Sequence, residues 1–204
     1  MNIKVQGKKT GGIYPQDWEQ KKIKDITTYV DYRGKTPTKV DQGVFLVTAK
    51  NIKDGYIDYD VSKEYVKVEE YDDIMRRGKP KIGDVLITTE APMGNVAQID
   101  REDIALAQRV IKLRGKLGVD NTYLKYHFLG DIFQNKLKKL AIGTTVAGIK
   151  GKELHNVKIP LPSIKEQQKI ASILSTWDKA IDLKEKLIEQ KKEQKKGLMQ
   201  KLLT

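Results

Sequence analysis

The chain divides at Ile159-Pro-Leu-Pro-Ser-Ile-Lys-Glu-Gln-Gln-Lys-Ile-Ala-Ser-Ile-Leu-Ser-Thr-Trp-Asp-Lys-Ala-Ile181. Before this segment glycines alternate with β-rich runs, whereas the part after Pro162 contains no proline and a single glycine. Pro160 and Pro162 mark the boundary, because proline fits neither a helix interior nor a central strand. We therefore predict a first domain over residues 1–160 and a long helix over residues 161–204.

The start of this helix carries a recognisable cap. Ser163 and Glu166 have the Ser-x-x-Glu spacing of a capping box, in which each side chain bonds the backbone of the other residue. Apolar residues then recur at three- and four-residue steps or their multiples, which predicts one apolar stripe. The stripe consists of Ile170, Leu174, Trp177, Ile181, Ile188, Leu198 and Leu202. Part of it has the heptad spacing of a coiled coil, with interruptions at Lys184, Lys191 and Lys195.

A helix of this length needs a partner along its apolar stripe. About 38 residues would extend roughly 57 Å, and helices in water owe most of their stability to packing. The sequence shows no internal repeat, so we expect the partner to be a second copy of the chain. The predicted dimer interface consists of Leu174, Trp177, Ile181, Ile188, Leu198 and Leu202. The alternative is that the helix folds back on its own domain.

The first domain has the pattern of a mixed structure, and we predict the α+β class for the chain. Runs rich in β-branched residues predict strands at Gly43–Thr48, Asp84–Thr89, Ile104–Leu106 and Arg109–Leu113. A hairpin turn is expected at Asp54-Gly55. The residues from Asn121 to Ala141 predict one helix, whose apolar stripe is Leu124, Phe128, Ile132, Phe133, Leu137 and Leu140. A glycine-rich loop follows over residues 143–151.

The charge balance favours an anionic partner. Lys and Arg total 39 against 27 Asp and Glu, which gives a formal net charge of +12. An excess of this size is typical of proteins that bind nucleic acid or a membrane surface, although some basic proteins bind neither. No apolar run approaches the ~20 residues that span a bilayer, and the N-terminus lacks the apolar region of a signal peptide. We expect a cytoplasmic protein.

The sequence lacks the residue patterns of an enzyme. It contains no cysteine and two histidines, which excludes disulfides, thiol catalysis and zinc-thiolate sites. Gly34-Lys35-Thr36 lacks the earlier glycine of a phosphate-binding loop. The acidic cluster at Glu69–Asp73 could hold Mg²⁺, but a solvated turn explains it better. His127 fits a half-buried structural histidine better than a catalytic base. We predict no catalytic residue, cofactor or metal.

The segment that divides the chain resembles the conserved region of type I restriction–modification specificity subunits. The family pattern is an apolar-Pro-apolar-Pro lead, then Glu-Gln, Ile-Ala, an apolar-Leu pair, Asp and Ile. The residues that match it in order are Glu166, Gln167, Ile170, Ala171, Leu174, Asp178 and Ile181. The ending Lys196-Gly-Leu-Met-Gln-Lys-Leu-Leu-Thr204 is also similar to the helix of that family.

Weaker resemblances to the same family extend over most of the remaining chain. Tyr14-Pro-Gln-Asp-Trp18 is similar to the Pro-x-x-Trp entry to a target-recognition domain. Tyr32-Arg-Gly-Lys-Thr-Pro37, Gly83-Asp-Val-Leu-Ile-Thr88 and Gln108-Arg-Val110 resemble recurrent elements inside such domains. The sequence therefore resembles one target-recognition domain followed by one conserved helix.

The resemblance implies a function in DNA recognition. Such subunits carry mixed α/β recognition domains, each reading half of a split site, and long paired helices that space the domains. They recruit a methyltransferase subunit, which methylates adenine with S-adenosylmethionine, and an ATP-dependent restriction subunit. Family members usually have two domains and two helices, and this chain resembles one of each. One domain and one helix would fit a natural half-subunit, a truncated gene product or an engineered piece, and in each case the homodimer is expected to read an interrupted palindrome.

Candidate DNA contacts are basic residues that lie beside amides and hydroxyls in predicted loops. Cations would supply affinity through phosphate, and side-chain forks would choose bases. The candidates are Arg33, Lys35, Thr36, Lys50, Asn51, Arg76, Arg77, Thr89, Glu90, Gln108, Arg109, Thr144, Thr145 and Lys150. Each of these residues could instead stabilise a turn or lie in a solvated loop.

Two other functions remain open from the sequence. One is a basic coiled-coil protein that binds or organises DNA without restriction partners. The other is a fragment of a single-chain restriction–methylation enzyme, in which a similar recognition domain is attached to a catalytic core. Stable association with a methyltransferase subunit would favour the specificity subunit over the basic coiled-coil protein.

Overall fold

The computed structural model describes residues 14–32, 37–143 and 147–203. Its strands are β1 (Glu19–Lys22), β2 (Thr27–Asp31), β3 (Lys39–Val40), β4 (Val44–Val47), β5 (Tyr65–Val66), β6 (Val85–Thr89), β7 (Met93–Gln98), β8 (Ile104–Leu106), β9 (Val110–Gly115) and β10 (Lys158–Leu161). Its helices are α1 (Ile23–Ile26), α2 (Tyr71–Ile74), α3 (Asn121–Leu129), α4 (Asp131–Leu140), α5 (Gly151–Asn156) and α6 (Ile164–Leu203). A 3₁₀ turn, Val68–Glu70, precedes α2. The α+β prediction is confirmed.

Two four-stranded sheets make up most of the domain. The first has the order β2-β9-β6-β7 with antiparallel neighbours, and the second has the order β3-β5-β4-β8. In the second sheet β4 and β8 run parallel, while β5 pairs antiparallel with both β3 and β4. A third pair joins β1 to β10, so the N-terminal part of the described chain pairs with the strand that precedes α6.

Strand β6, in the interior of the first sheet, is buried on both faces. Val85 and Ile87 belong to a core that includes residues of α3 and α4, whereas Leu86 belongs to a core shared with the second sheet. This alternation follows from the two-residue period of a strand. The domain is therefore layered, with helices, the first sheet and the second sheet in that order. The four predicted strands are confirmed, with bounds that differ by one or two residues.

The predicted helix from Asn121 to Ala141 is wrong in one respect, because Gly130 divides it into α3 and α4. Gly130 has φ −68° and ψ 142°, which is extended backbone. The break changes the direction of the apolar stripe, so Ile132 and Leu140 are exposed although Phe133 and Leu137 are buried. Within the break, the Gln134 side-chain amide donates to the carbonyl of Phe128 at 2.7 Å.

The Asp54-Gly55 turn is confirmed. Ile52 and Ile57 form an antiparallel bridge, and the amide of Lys53 donates to the carbonyl of Tyr56 at 3.0 Å. Gly55 has φ +98°, a left-handed conformation that favours glycine. The turn is anchored to the first sheet, since the amide of Gly55 donates to the carbonyl of Val96 at 2.8 Å.

The long C-terminal helix is confirmed, and α6 has 40 residues. Its capping box is also present, because Glu166 Oε2 accepts from the Ser163 amide at 3.0 Å and the Ser163 hydroxyl at 2.8 Å. Only Gln167 and Ala171 of α6 are buried, and every described residue after Ser175 is exposed. The structure does not show the alternative in which this helix folds back on its own domain.

Candidate nucleic-acid interface

The topology of the second sheet brings two candidate loops together. Because β4 and β8 are parallel neighbours, the loops after them leave the same edge of the sheet. The amide of Ala107 donates to the carbonyl of Val47 at 2.9 Å and extends this pairing to the loop bases. Lys50 therefore lies near Gln108 and Arg109, although about sixty positions separate them in the sequence. These residues line a concavity that we call the loop cleft, together with Pro37, Lys39, Thr48 and Ala91.

The turn between β6 and β7 closes one side of the loop cleft through an ion pair. Arg109 Nε lies 2.8 Å from Glu90 Oε1, and the side chains are 54% and 43% exposed respectively. Arg109 has φ +70°, which is unfavourable for a residue with a side chain. The pair therefore presents a guanidinium and a carboxylate together to solvent. Such groups can contact phosphates and base edges.

Asn51 and Thr89 are corrections to the predicted contact set, because both are buried. Asn51 Oδ1 accepts from the amide and hydroxyl of Thr48 at 2.9 and 2.8 Å. Its Nδ2 donates to the carbonyls of Asp58 and Ser62, each at 2.9 Å. With every polar atom of its side chain bonded inside the fold, Asn51 shapes the loop that carries Lys50. It is not placed to read DNA.

Thr89 has a similar structural role at the end of β6. Its backbone amide and its hydroxyl donate to the carbonyl of Arg109 at 2.8 and 3.3 Å. Its own carbonyl accepts from the amide of Ile149 at 2.9 Å. Thr89 thus joins the Gln108–Arg109 loop to the segment that leads to Lys150.

Lys150 is exposed beside this same junction. Gly148 bridges Glu90 and Ile142, which places the end of the glycine-rich segment against the β6–β7 turn. A Cβ atom at Gly148 would lie 3.3 Å from Glu90 Cβ, so glycine permits this close approach. Five of the predicted contacts lie outside the described residues: Arg33, Lys35, Thr36, Thr144 and Thr145.

Arg76 and Arg77 line a second concavity that adjoins the loop cleft at Pro37. Arg77 Nη1 donates to the carbonyl of Asp31 at 2.8 Å, and Arg76 Nη1 lies 3.3 Å from Asp73 Oδ1. Of the candidates that the structure describes, the exposed ones therefore lie at the loop cleft or next to it.

A buried ionic cluster supports the loop that carries Arg76, Arg77 and Lys79. This cluster was not predicted from the sequence. Asp84 is 1% exposed and accepts from Arg114 at 2.6 and 2.8 Å, with Lys112 Nζ at 3.4 Å. Lys112 Nζ also donates to the carbonyl of Lys79 at 2.9 Å. Burial lowers the pKa of Lys112, against the opposing effect of Asp84. The available signal was a lysine at an inward position of an otherwise apolar strand.

His127 belongs to an aromatic cluster. Its ring lies 6.0 Å from that of Tyr123 and 5.8 Å from that of Phe133. Burial, with a smaller effect of Lys136, lowers the pKa of His127 to about 4. The imidazole is consequently neutral at pH 7.

The described ranges contain no group of three or more His, Asp or Glu side chains that could hold a metal ion, and the acidic residues of Glu69–Asp73 lie in the 3₁₀ turn and in α2. None of the described helices is long and apolar enough to cross a membrane.

The predicted dimer residues form an exposed apolar stripe on α6. Leu174 is 37% exposed, Trp177 66% and Leu202 79%. The others are exposed to intermediate degrees: Ile181, Ile188 and Leu198. An apolar stripe of this length on a water-exposed helix is typical of an association surface.

Solved structures resemble this fold at low sequence identity. A chain from a structural study of complex assembly in the type I R-M system aligns with a TM-score of 0.61 at 20% identity, over 84% of this chain and 41% of that one. The HsdS subunit from Thermoanaerobacter tengcongensis aligns with a TM-score of 0.58 at 19% identity, over 86% of this chain and 41% of that one. These matches concern the fold alone.

Sequence comparison gives a more specific result. The chain is 35% identical to the type I restriction enzyme MjaIX specificity subunit of Methanocaldococcus jannaschii over 181 residues, which covers 86% of this chain and 41% of the relative. It is 30% identical to the MjaVIII specificity subunit of the same organism, over 93% of this chain and 43% of the relative. The chain thus spans about two fifths of the length of these relatives. A family model described as the type I restriction modification DNA specificity domain matches residues 15–193, and the chain belongs to this family.

Proposed function

We propose that the chain is a non-catalytic DNA specificity subunit of a type I restriction–modification system. The observation that carries the proposal is the loop cleft, where Lys50, Gln108 and the Arg109–Glu90 pair meet on one edge of the domain. Membership of the family supports the same reading. Residues 1–160 would read the DNA, and residues 161–204 would pair and space the domains.

The charges of the loop cleft suggest that different residues contact phosphates and bases. Exposed Lys50 and Lys150 would neutralise phosphates, which gives affinity that falls steeply as salt rises. Arg109 and Gln108 carry the planar forks that discriminate bases in the major groove. Glu90 would hold the Arg109 guanidinium in orientation, or accept from a cytosine amino group.

The exposed stripe of α6 supports a homodimer. A closed pair of identical chains is normally isologous, so a two-fold axis would relate the two recognition domains. The half-sites would then be inverted copies of one sequence. A helix of 40 residues extends about 60 Å, which limits their separation to roughly 18 base pairs at 3.4 Å each.

The partners of the proposed assembly follow from the family. We propose that the dimer binds a methyltransferase subunit and, in a complete system, an ATP-dependent restriction subunit. It would direct adenine methylation to a bipartite site. The protein would act in the cytoplasm, where chromosomal and invading DNA are accessible.

Dimerisation can be tested by introducing charged residues into the apolar stripe of α6. We expect the Ile181→Asp, Ile188→Asp double variant to sediment as a monomer, because aspartate cannot be buried cheaply in an apolar seam. The matched control is Thr176→Asp, Gln190→Asp, which adds the same charge at exposed positions of α6 that lie off the apolar stripe. A wild-type chain that is monomeric both alone and with a methyltransferase subunit would contradict the dimer and the palindrome.

A further inference from the structure

The junction between the domain and α6 is held at two points by polar side chains. The first is Gln167, which is 1% exposed. Its Oε1 accepts from the amide of Asp120 at 2.9 Å, and its Nε2 donates to the carbonyls of Pro162 at 2.8 Å and Gly118 at 3.2 Å. Together the three bonds tie the first turn of α6 to the loop before α3 and to Pro162, the residue that follows β10.

The second point lies three helical turns further along. The Tyr126 hydroxyl on α3 donates to Asp178 Oδ2 at 2.6 Å, and Ser175 Oγ lies 3.1 Å from the same phenol oxygen. Lys125 Nζ lies 3.5 Å from Asp178 Oδ2 and 4.0 Å from the centroid of the Tyr126 ring. Gln167 and Asp178 are about 16 Å apart along the axis at 1.5 Å per residue. Two contacts this far apart define a direction for the helix.

After the second point every described residue of α6, from 179 to 203, is exposed. This part would extend about 37 Å at 1.5 Å per residue. A tilt of about 5° at the junction would move its far end by roughly 3 Å, close to the 3.4 Å rise of one base pair. A small change of tilt at the junction would therefore be enough to change the spacing of two half-sites by about one base pair.

We propose that Tyr126 and Asp178 are positioning residues that determine which spacing the protein selects between its half-sites. The proposal rests on the proposed function, because it requires a dimer that reads two half-sites. Hydrogen bonds depend on angle, so this contact restricts the tilt of α6 more sharply than apolar packing at Ala171 and Ile170 does. Gln167 fixes the origin of the helix, and the Tyr126–Asp178 bond fixes its direction.

The stability of the fold does not require this second contact. Asp178 is 51% exposed, and half-exposed ion pairs and hydrogen bonds contribute little to stability. Tyr126→Phe and Asp178→Ala therefore keep the fold, and each removes the directional bond, the first its donor and the second its acceptor. Asp182→Ala is the matched control, because Asp182 is exposed one turn further along and makes no contact with α3 among the interactions described.

The test measures helix direction and DNA spacing separately. The chain lacks cysteine, so Val61→Cys and Glu193→Cys provide two unique sites for spin labels on the exposed surfaces of the domain and α6. Labelled chains are diluted with unlabelled chains, and the distance distribution is measured by double electron–electron resonance. We expect both variants to broaden or shift the distribution relative to wild type and Asp182→Ala.

The second measurement uses DNA duplexes that carry the half-sites selected by the wild-type protein, separated by spacers that differ by one base pair. We expect the wild type to prefer one spacer at least tenfold over its neighbours, and the variants to lose most of that preference with unchanged half-site affinity. Unchanged distances or an unchanged spacer preference would overturn the proposal. If the wild type binds no DNA, the proposed function fails and the spacing claim with it, while the distance measurement alone still decides whether the bond directs α6.

Discussion

Asp84→Asn is expected to show how far the buried ionic cluster supports the fold. The substitution keeps the shape of the side chain and removes the carboxylate charge that pairs with both Lys112 and Arg114. Lys112 is 6% exposed at its side chain, so two cations would remain together in a largely dry site. Breaking a buried pair from one side costs about 3–5 kcal/mol. Because Arg114 is 35% exposed and partly screened by solvent, we expect about 3 kcal/mol.

The comparison variant is Lys112→Met. It removes the deeper cation and leaves Asp84 paired with Arg114 at 2.6 and 2.8 Å, so no uncompensated charge remains. We expect a loss of about 1 kcal/mol, mainly from the bond to the carbonyl of Lys79. In a chain of this size the melting temperature should fall by roughly 6–12 °C for Asp84→Asn and by about a third of that for Lys112→Met.

The pH dependence gives the sharper test. Burial already lowers the pKa of Lys112, and removal of Asp84 should lower it further. A lysine whose folded pKa is depressed binds fewer protons in the folded state, so stability rises with pH up to the unfolded pKa near 10.4. The penalty of Asp84→Asn should therefore be smaller at pH 9 than at pH 7, measured by urea unfolding at one protomer concentration. Equal penalties at both pH values, or an equally destabilised Lys112→Met, would refute the reasoning.

Two further predictions concern the loop cleft and the aromatic cluster. Arg109→Gly should lower the affinity for specific DNA roughly 10- to 100-fold, because a lost guanidinium contact to a base has about this effect. Thermal stability should not fall, since glycine accepts the φ of +70° at this position. Undiminished affinity in an anisotropy titration would contradict this assignment. Burial lowers the pKa of His127 to about 4, so the neutral imidazole contributes fully to the free energy of unfolding above pH 6.5. As pH falls from 6.5 toward 4, the free energy of unfolding should decrease by roughly 3 kcal/mol. His127→Phe should unfold less steeply with acid than wild type in urea titrations from pH 7 to pH 4, and parallel curves would disprove the point.

Where chemistry is local, the sequence was sufficient to predict structure. The capping box at Ser163 and Glu166 depends on atoms three residues apart, and the observed bonds match it. Strand positions followed from β-branched runs, and the Asp54-Gly55 turn followed from the left-handed backbone that glycine accepts. The helix break at Gly130 was missed because an apolar period continued across it, although the two halves pack in different directions.

The family resemblance, the mixed α+β class and the long exposed helix could be predicted from sequence, because periodicity, caps and motifs are properties of neighbouring residues. Only the tertiary structure decided which loops meet at the loop cleft, since this depends on the parallel pairing of β4 with β8. It also placed Asn51 inside the fold and Arg109 at the surface, which their residue types alone do not distinguish. The bond between Tyr126 and Asp178 joins residues 52 positions apart, and such a contact exists only because packing brings α3 against α6.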